Sequence, residues 1–232
     1  MRGAWLALAA LALAASCSRH ASNVTVHYQG GESTFSSGAR HAIQENAETT
    51  FREVRRALPQ LPQTLIIEVS AGSNVIPETG ETGYTSAPNI LSWVVDTGRS
   101  EGVVAIANRE LRGTMFHELH HLVRDRVVVR ATLMDHVVSE GLATAFERDF
   151  THVKVPWGDY PPEVRAWALE LRALPSDAPV GKWLYETHAD GRRWIGLKAG
   201  TYLADRAIAS TGKSAADLVT MPTADVLATA LK

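Results

Sequence analysis

The chain has 232 residues, a formal net charge of −2, 45% hydrophobic residues and 21% charged ones. That length suits one globular domain, and that composition excludes a disordered polymer. The charge balance excludes a nucleic-acid footprint, because Arg52, Arg55 and Arg56 alternate with Glu48 and Glu53 as on a solvated helix face.

The first residues differ in kind from the rest. "MRGAWLALAALALAASC" has one arginine, an apolar run from Ala4 to Ala15, and small residues ending at Cys17. The run is too short for a permanent membrane span and has the layout of an export signal. Cys17 is the only cysteine, so no internal disulfide can form. "LAASC" looks like a bacterial lipobox, although Ala14 stands where a larger apolar residue is usual. The expectation is a signal over 1–17, a short polar tether over 18–23 and a single domain over 24–232. The protein is then exported to the cell envelope, lipid-anchored at a membrane surface and monomeric. Ordinary cleavage near Ala14 or Ala15, releasing a soluble protein, is the alternative.

"NVTVHYQ" (23–29) alternates like a strand. Residues 39–58 carry helical spacing through Ile43, Ala47, Phe51, Val54 and Leu58, and "PQLP" stops them. "TLIIEV" (64–69) predicts a buried strand. Residues 70–89 predict a loop or hairpin approach with "GETGY" as its turn. "ILSWVVD" (90–96) reads as a core strand or as an edge strand able to bind an extended peptide. From residue 108 onward the pattern is helical, with helices in 108–126, 133–150, 163–174 and 194–210, a short one near 181–186 and two more after Ser214 and Thr223. Strands first and helices after imply an α+β fold.

"TMFHELHHLV" (114–123) fits H-E-x-x-H. Residues four apart share a helix face, so His117 and His121 can offer imidazole nitrogens to one ion. Glu118 lies beside that face, placed to take a proton from water. His120 points elsewhere, behind the ligands or into solvent. A third ligand is expected, and Glu140 in "SEGLATAF" supplies a carboxylate after a turn through "VRDRVVVR". Gly141 beside it permits close helix approach. His136, one turn before Glu140, is the other possibility. Zinc is the expected cofactor, and a peptide or protein the expected substrate. The rival reading is a zinc-binding surface lipoprotein without turnover.

"HELHHLVRD", "SEGLATAF" and "RRWIGLKAGTYLADRAIASTGKSAADLVTM" together resemble the bacterial predicted Zn-dependent protease domain of the YjaZ-like group, over roughly residues 105–220. More broadly the chain is similar to gluzincin metallopeptidases. The resemblance implies a zincin-like fold, in which a small strand-rich part packs on the helical part that carries H-E-x-x-H. It implies His117, His121 and Glu140 as zinc ligands and Glu118 as general base. The group tends to carry an aromatic residue after each glycine of a G-x-x-x-G pair. Here Leu197 follows Gly196 and Thr201 follows Gly200, with Tyr202 one place later. Tyr202 is therefore the candidate catalytic hydroxyl, with His188, His120 and Arg193 as other oxyanion donors. Gluzincins often place an acidic residue four after the ligand glutamate. Thr144 occupies that place, so a different group must orient the histidine.

Overall fold

The computed structural model describes residues 23–232. The expected signal, the lipobox cysteine and all but the last residue of the tether lie outside the described residues. Strand β1 (Val24–Gln29) leads into helix α1 (Ser37–Ala57), and β2 (Leu65–Ala71) returns beside β1. The chain then makes β3 (Glu81–Ala87) and β4 (Ile90–Val95). The order across the sheet is β1-β2-β4-β3, with β1, β2 and β4 parallel and β3 antiparallel to β4. The α+β expectation therefore holds.

The sheet decides between two readings of one strand and corrects another segment. "ILSWVVD" is interior, paired on both sides, and its Leu91, Trp93 and Val95 are fully buried. One of the two edges is β3 ("ETGYTSA"), which begins within "GETGY", the stretch that had read as the turn of a loop or hairpin approach. This polar segment becomes a strand through hairpin pairing with β4, not through its own propensity.

Glu81 fixes the start of that edge. The Trp93 indole donates to Glu81 Oε2 at 2.7 Å, and the Thr114 hydroxyl donates to the same atom at 2.9 Å. At Gly83 a side chain would collide with Thr114 and crowd Glu118. Glycine is thus what lets the edge lie directly on the helix beneath it.

After α2 (Gly102–Ile106), a π-helical turn (Ala107–Leu111) runs on into α3 (Arg112–Arg124). Met115, Phe116, Leu119, Leu122 and Val123 form the buried side of α3. The loop 125–132 leads to α4 (Leu133–Thr151), which starts in a reciprocal capping box between Thr132 and Asp135. Phe116, Phe146 and Phe150 join α3 to α4, with ring centroids 4.8–5.5 Å apart. Phe116 and Phe146 are fully buried, and each such ring contributes on the order of 1.5–3 kcal/mol.

The remaining helices are α5 (Val164–Ala173), α6 (Val180–Leu184), α7 (Ile195–Thr211) and α8 (Thr223–Ala230). α4 is buried without a break from Val137 to Glu147, as befits the central helix of this half. α7 approaches α4 at a glycine pair. A methyl at Gly141 would overlap the Gly200 carbonyl, and one at Gly200 would overlap the Val137 carbonyl.

Two stability predictions follow from these contacts. Gly200→Ala should cost about 1–3 kcal/mol by overpacking, seen as a lower melting temperature; an unchanged melting temperature would show that the helices separate freely. Burial pushes the Glu81 carboxyl up to about 7, against hydrogen bonds that pull it down. Its folded value thus lies above its unfolded value, so folding is favoured at low pH. Stability on the order of 3 kcal/mol should drain away as pH rises from about 4.5 to about 7. Glu81→Gln keeps an acceptor for Trp93 and should flatten that part of the stability–pH curve. A curve of unchanged slope would assign the effect elsewhere.

Candidate metal centre and its cleft

The α3–α4 pair brings His117, His121 and Glu140 together. One ligand atom from each lies within 4.8 Å of the others. The two Nε2 atoms are 3.1 Å apart, His117 Nε2 is 3.2 Å from Glu140 Oε2, and His121 Nε2 is 3.5 Å from Glu140 Oε1. These three form the one such group among the described residues.

The far side of each ring is occupied. His117 Nδ1 lies 3.3 Å from Glu147 Oε2, and His121 Nδ1 lies 3.1 Å from the Ser139 hydroxyl. With Nδ1–H donated to those oxygens, both Nε2 lone pairs face the same point. Two imidazole nitrogens and a carboxylate oxygen are a donor set suited to zinc, so the residues present fit the ion.

Charge in the cluster is tightly coupled. Burial raises the Glu140 carboxyl, but His121 and His117 outweigh it and hold the group well below the carboxylate range. Burial lowers His117, but Glu140 and Glu147 outweigh it and hold the imidazolium well above its ordinary range. Glu118 is raised, chiefly by burial, with the two histidines opposing. It is half-buried at the cleft wall, next to His117 on α3.

The cleft over this cluster measures about 350 Å³. One wall is the edge strand, through Thr82, Gly83, Tyr84 and Thr85. Glu81, Glu110 and Thr114 line the end near the start of α3. Arg130 and Tyr185 also line the cleft, and Val155, Trp157, Trp194 and Leu197 add an apolar wall.

The other sequence candidates lie elsewhere. Tyr202 is not among the lining residues, and its ring packs edge-on against Tyr160 at 5.7 Å. It follows Gly200 by two positions, about 200° round α7 from the face that meets α4. Two tyrosines do line the cleft, Tyr84 on β3 and, just past α6, Tyr185. Nearby Glu140 pushes the Tyr185 phenol up, with burial and Glu118 adding, so the hydroxyl stays a proton donor. His120 is fully buried, with Nε2 3.4 Å from the Ala215 carbonyl and its ring against Phe146, which overturns the solvent option. Burial keeps it neutral. His136 stands outside the metal group and His188 outside the cleft, the latter 3.0 Å from the Lys182 carbonyl. Arg193 pairs with Glu78 at 2.6 Å.

Sequence reasoning missed Glu147, Tyr185, Arg130 and Glu81. Glu147 was within reach, because seven residues after Glu140 is two helical turns along the same face. Arg130 lies in the α3–α4 loop, and Tyr185 caps a five-residue helix too short to show a periodic face. Replacing Glu147 by Gln should weaken zinc binding about 10- to 100-fold, measured by competition with a chelating dye. Equal affinity in both proteins would show that the contact to His117 does not orient the ring.

No curated protein and no solved structure matches the chain. A family model described as "Predicted Zn-dependent protease (DUF2268)" matches residues 41–228, which includes the whole α3–α4 cluster. With most of its length matched, the chain belongs to this family of predicted Zn-dependent proteases.

Proposed function

We propose that the protein is an exported, membrane-tethered zinc metallopeptidase of zincin-like fold, hydrolysing peptide bonds with Glu118 as general base. The observation that carries this reading is the convergence of His117, His121 and Glu140, with Glu118 beside them, in a cleft walled by an open strand edge. The family description supports it. The leader sequence ending at Cys17 supports export.

Zinc held by His117, His121 and Glu140 would supply a Lewis acid that polarises a carbonyl and lowers the pKa of water toward ~7. The chain's own groups do the rest. β3 offers unpaired main-chain groups to an extended peptide along its outer side. Glu118, made more basic by burial, accepts a proton from the attacking water and returns it to the leaving amine. The Tyr185 hydroxyl, kept protonated by the carboxylates near it, donates toward oxygen as negative charge develops there. This role passes to Tyr185 from Tyr202, which lies outside the cleft lining.

Glu118→Gln should retain zinc and lose peptide hydrolysis by on the order of 10²–10⁴-fold. The assay is metal content beside cleavage of casein and a peptide library. Equal cleavage by both proteins would refute the base assignment. Zinc at one ion per chain with no cleavage by the native protein would favour a zinc-binding protein without turnover.

A further inference from the structure

Four segments meet at one end of the molecule. The parallel strands β1, β2 and β4 all begin there, because Val24 is level with Leu65 and Ile66 with Ile90. Asn23, where the described chain starts, accepts a hydrogen bond from Leu65 N. The α1–β2 turn and the β3–β4 turn lie there too. The α3–α4 loop is pinned to both, since Arg126 donates to the Gln60 carbonyl at 3.2 Å and to the Pro88 carbonyl at 2.6 Å.

That loop reads Asp-Arg-Val-Val-Val-Arg. Val127 is 59% exposed and Val129 is 80% exposed, the largest exposure among the bulky apolar residues described. Arg126 and Arg130 flank them. Arg55 and Arg56 close α1 at the same end, with Arg55 bonded to Gln63 at 2.8 Å. The acidic groups facing this set are Asp125, paired with Arg130 at 2.5 Å, and Asp135 at the start of α4. Apolar tips between arginines suit an interface in which valine enters the acyl boundary and guanidinium meets phosphate.

The chain outside the structure says which surface is within reach. From Cys17 to Asn23 is six residues, which span at most about 20 Å fully extended. α1 alone, with 21 residues, is about 31 Å long. A tether that short brings the strand-start end against the bilayer and leaves the opposite end out of reach. The acyl chains expected on such a cysteine already hold the protein at the membrane, so the surface contact sets the orientation of the domain.

We infer that the strand-start end, with Val127 and Val129 at its tip, is a docking surface for an anionic lipid bilayer. It rests on the export and lipidation part of the proposed function and not on the chemistry. Arg130 belongs to this loop and also lines the cleft, so docking sets the cleft close above the lipid. The substrates so presented are membrane-proximal segments of proteins.

The test uses the full chain, lipidated in cells, labelled with an environment-sensitive NBD dye and reconstituted into phosphatidylglycerol–phosphatidylethanolamine vesicles. One variant is Val129→Cys. The other is Ser33→Cys, exposed in the turn beyond the far end of β1. Dye at 129 should shift to the blue and be quenched by lipids spin-labelled near the headgroup; dye at 33 should do neither. Adding Val127→Asp to the 129 variant should reverse the shift without lowering the melting temperature. Replacing phosphatidylglycerol by phosphatidylcholine should weaken the quenching. Equal signals from both positions, or a chain that stays off the vesicles with Cys17 taking the dye, would overturn the inference. Zinc content and peptide cleavage of the same samples report on the enzyme reading separately.

Discussion

A carboxylate buried between two imidazoles is the constraint around which this half of the molecule is arranged. Glu140 is 8% exposed, and an ionised carboxyl at that depth is costly unless positive charge lies against it. In the protein alone His121 and His117 provide it. A divalent cation at the same point would provide it more fully. Ser139 and Glu147, one residue before and two turns after Glu140 on α4, hold the far sides of the two rings. One helix therefore supplies both the carboxylate and the groups that aim the histidines at it.

Placing α4 correctly is then the main structural task. Its start is fixed by the Thr132–Asp135 capping box. Its lateral position is fixed on one side by the phenylalanines shared with α3. On the other side the Gly141–Gly200 contact admits no side chain. Arg124, fully buried at the end of α3, donates to the Val219 and Met221 carbonyls and ties the C-terminal segment to the same helix pair. These devices share a feature: each restricts how far α4 can slide or turn, and a slide of one residue would separate Glu140 from both rings.

The candidate ligands were legible because helix geometry is local. His117, Glu118 and His121 needed only the 3.6-residue period, and Glu140 needed only a second helix returning after a turn. Gly141 was legible for the same reason. The edge strand was not. "ETGYTSA" has a glycine and small polar residues, and it becomes a strand only because β4 is there to pair with it. Tyr185 was hidden for a related reason. It ends a five-residue helix, and its place by Glu140 depends on how residues 174–195 fold back over the cleft. Tyr202 drew attention through the spacing of a glycine pair, yet Gly200 faces α4 and Gly196 faces α6, and Tyr202 lies away from the α4 contact. Residues whose position follows from their own helix could be read from the sequence; residues whose position follows from a neighbour could not.

The direction of β3 gives the cleft a polarity. Glu81, at its start, binds Thr114 near the start of α3, while Pro88, just past its end, meets Arg126 beyond the end of α3. Strand and helix thus run the same way past the cluster. A chain added antiparallel to β3 would place its N-terminal side toward Arg130 and its C-terminal side toward Glu81 and Glu110. Glu110 is already paired with Arg109 at 2.5 Å, so the uncompensated acid at that end is Glu81. With its carboxyl at about 7, Glu81 is largely charged once pH exceeds that value. A free C-terminal carboxylate arriving beside it would meet like charge in a confined space, whereas an uninterrupted main chain or a lysine or arginine side chain would not. For the peptidase proposed above, and in that orientation, this polarity would disfavour release of C-terminal residues.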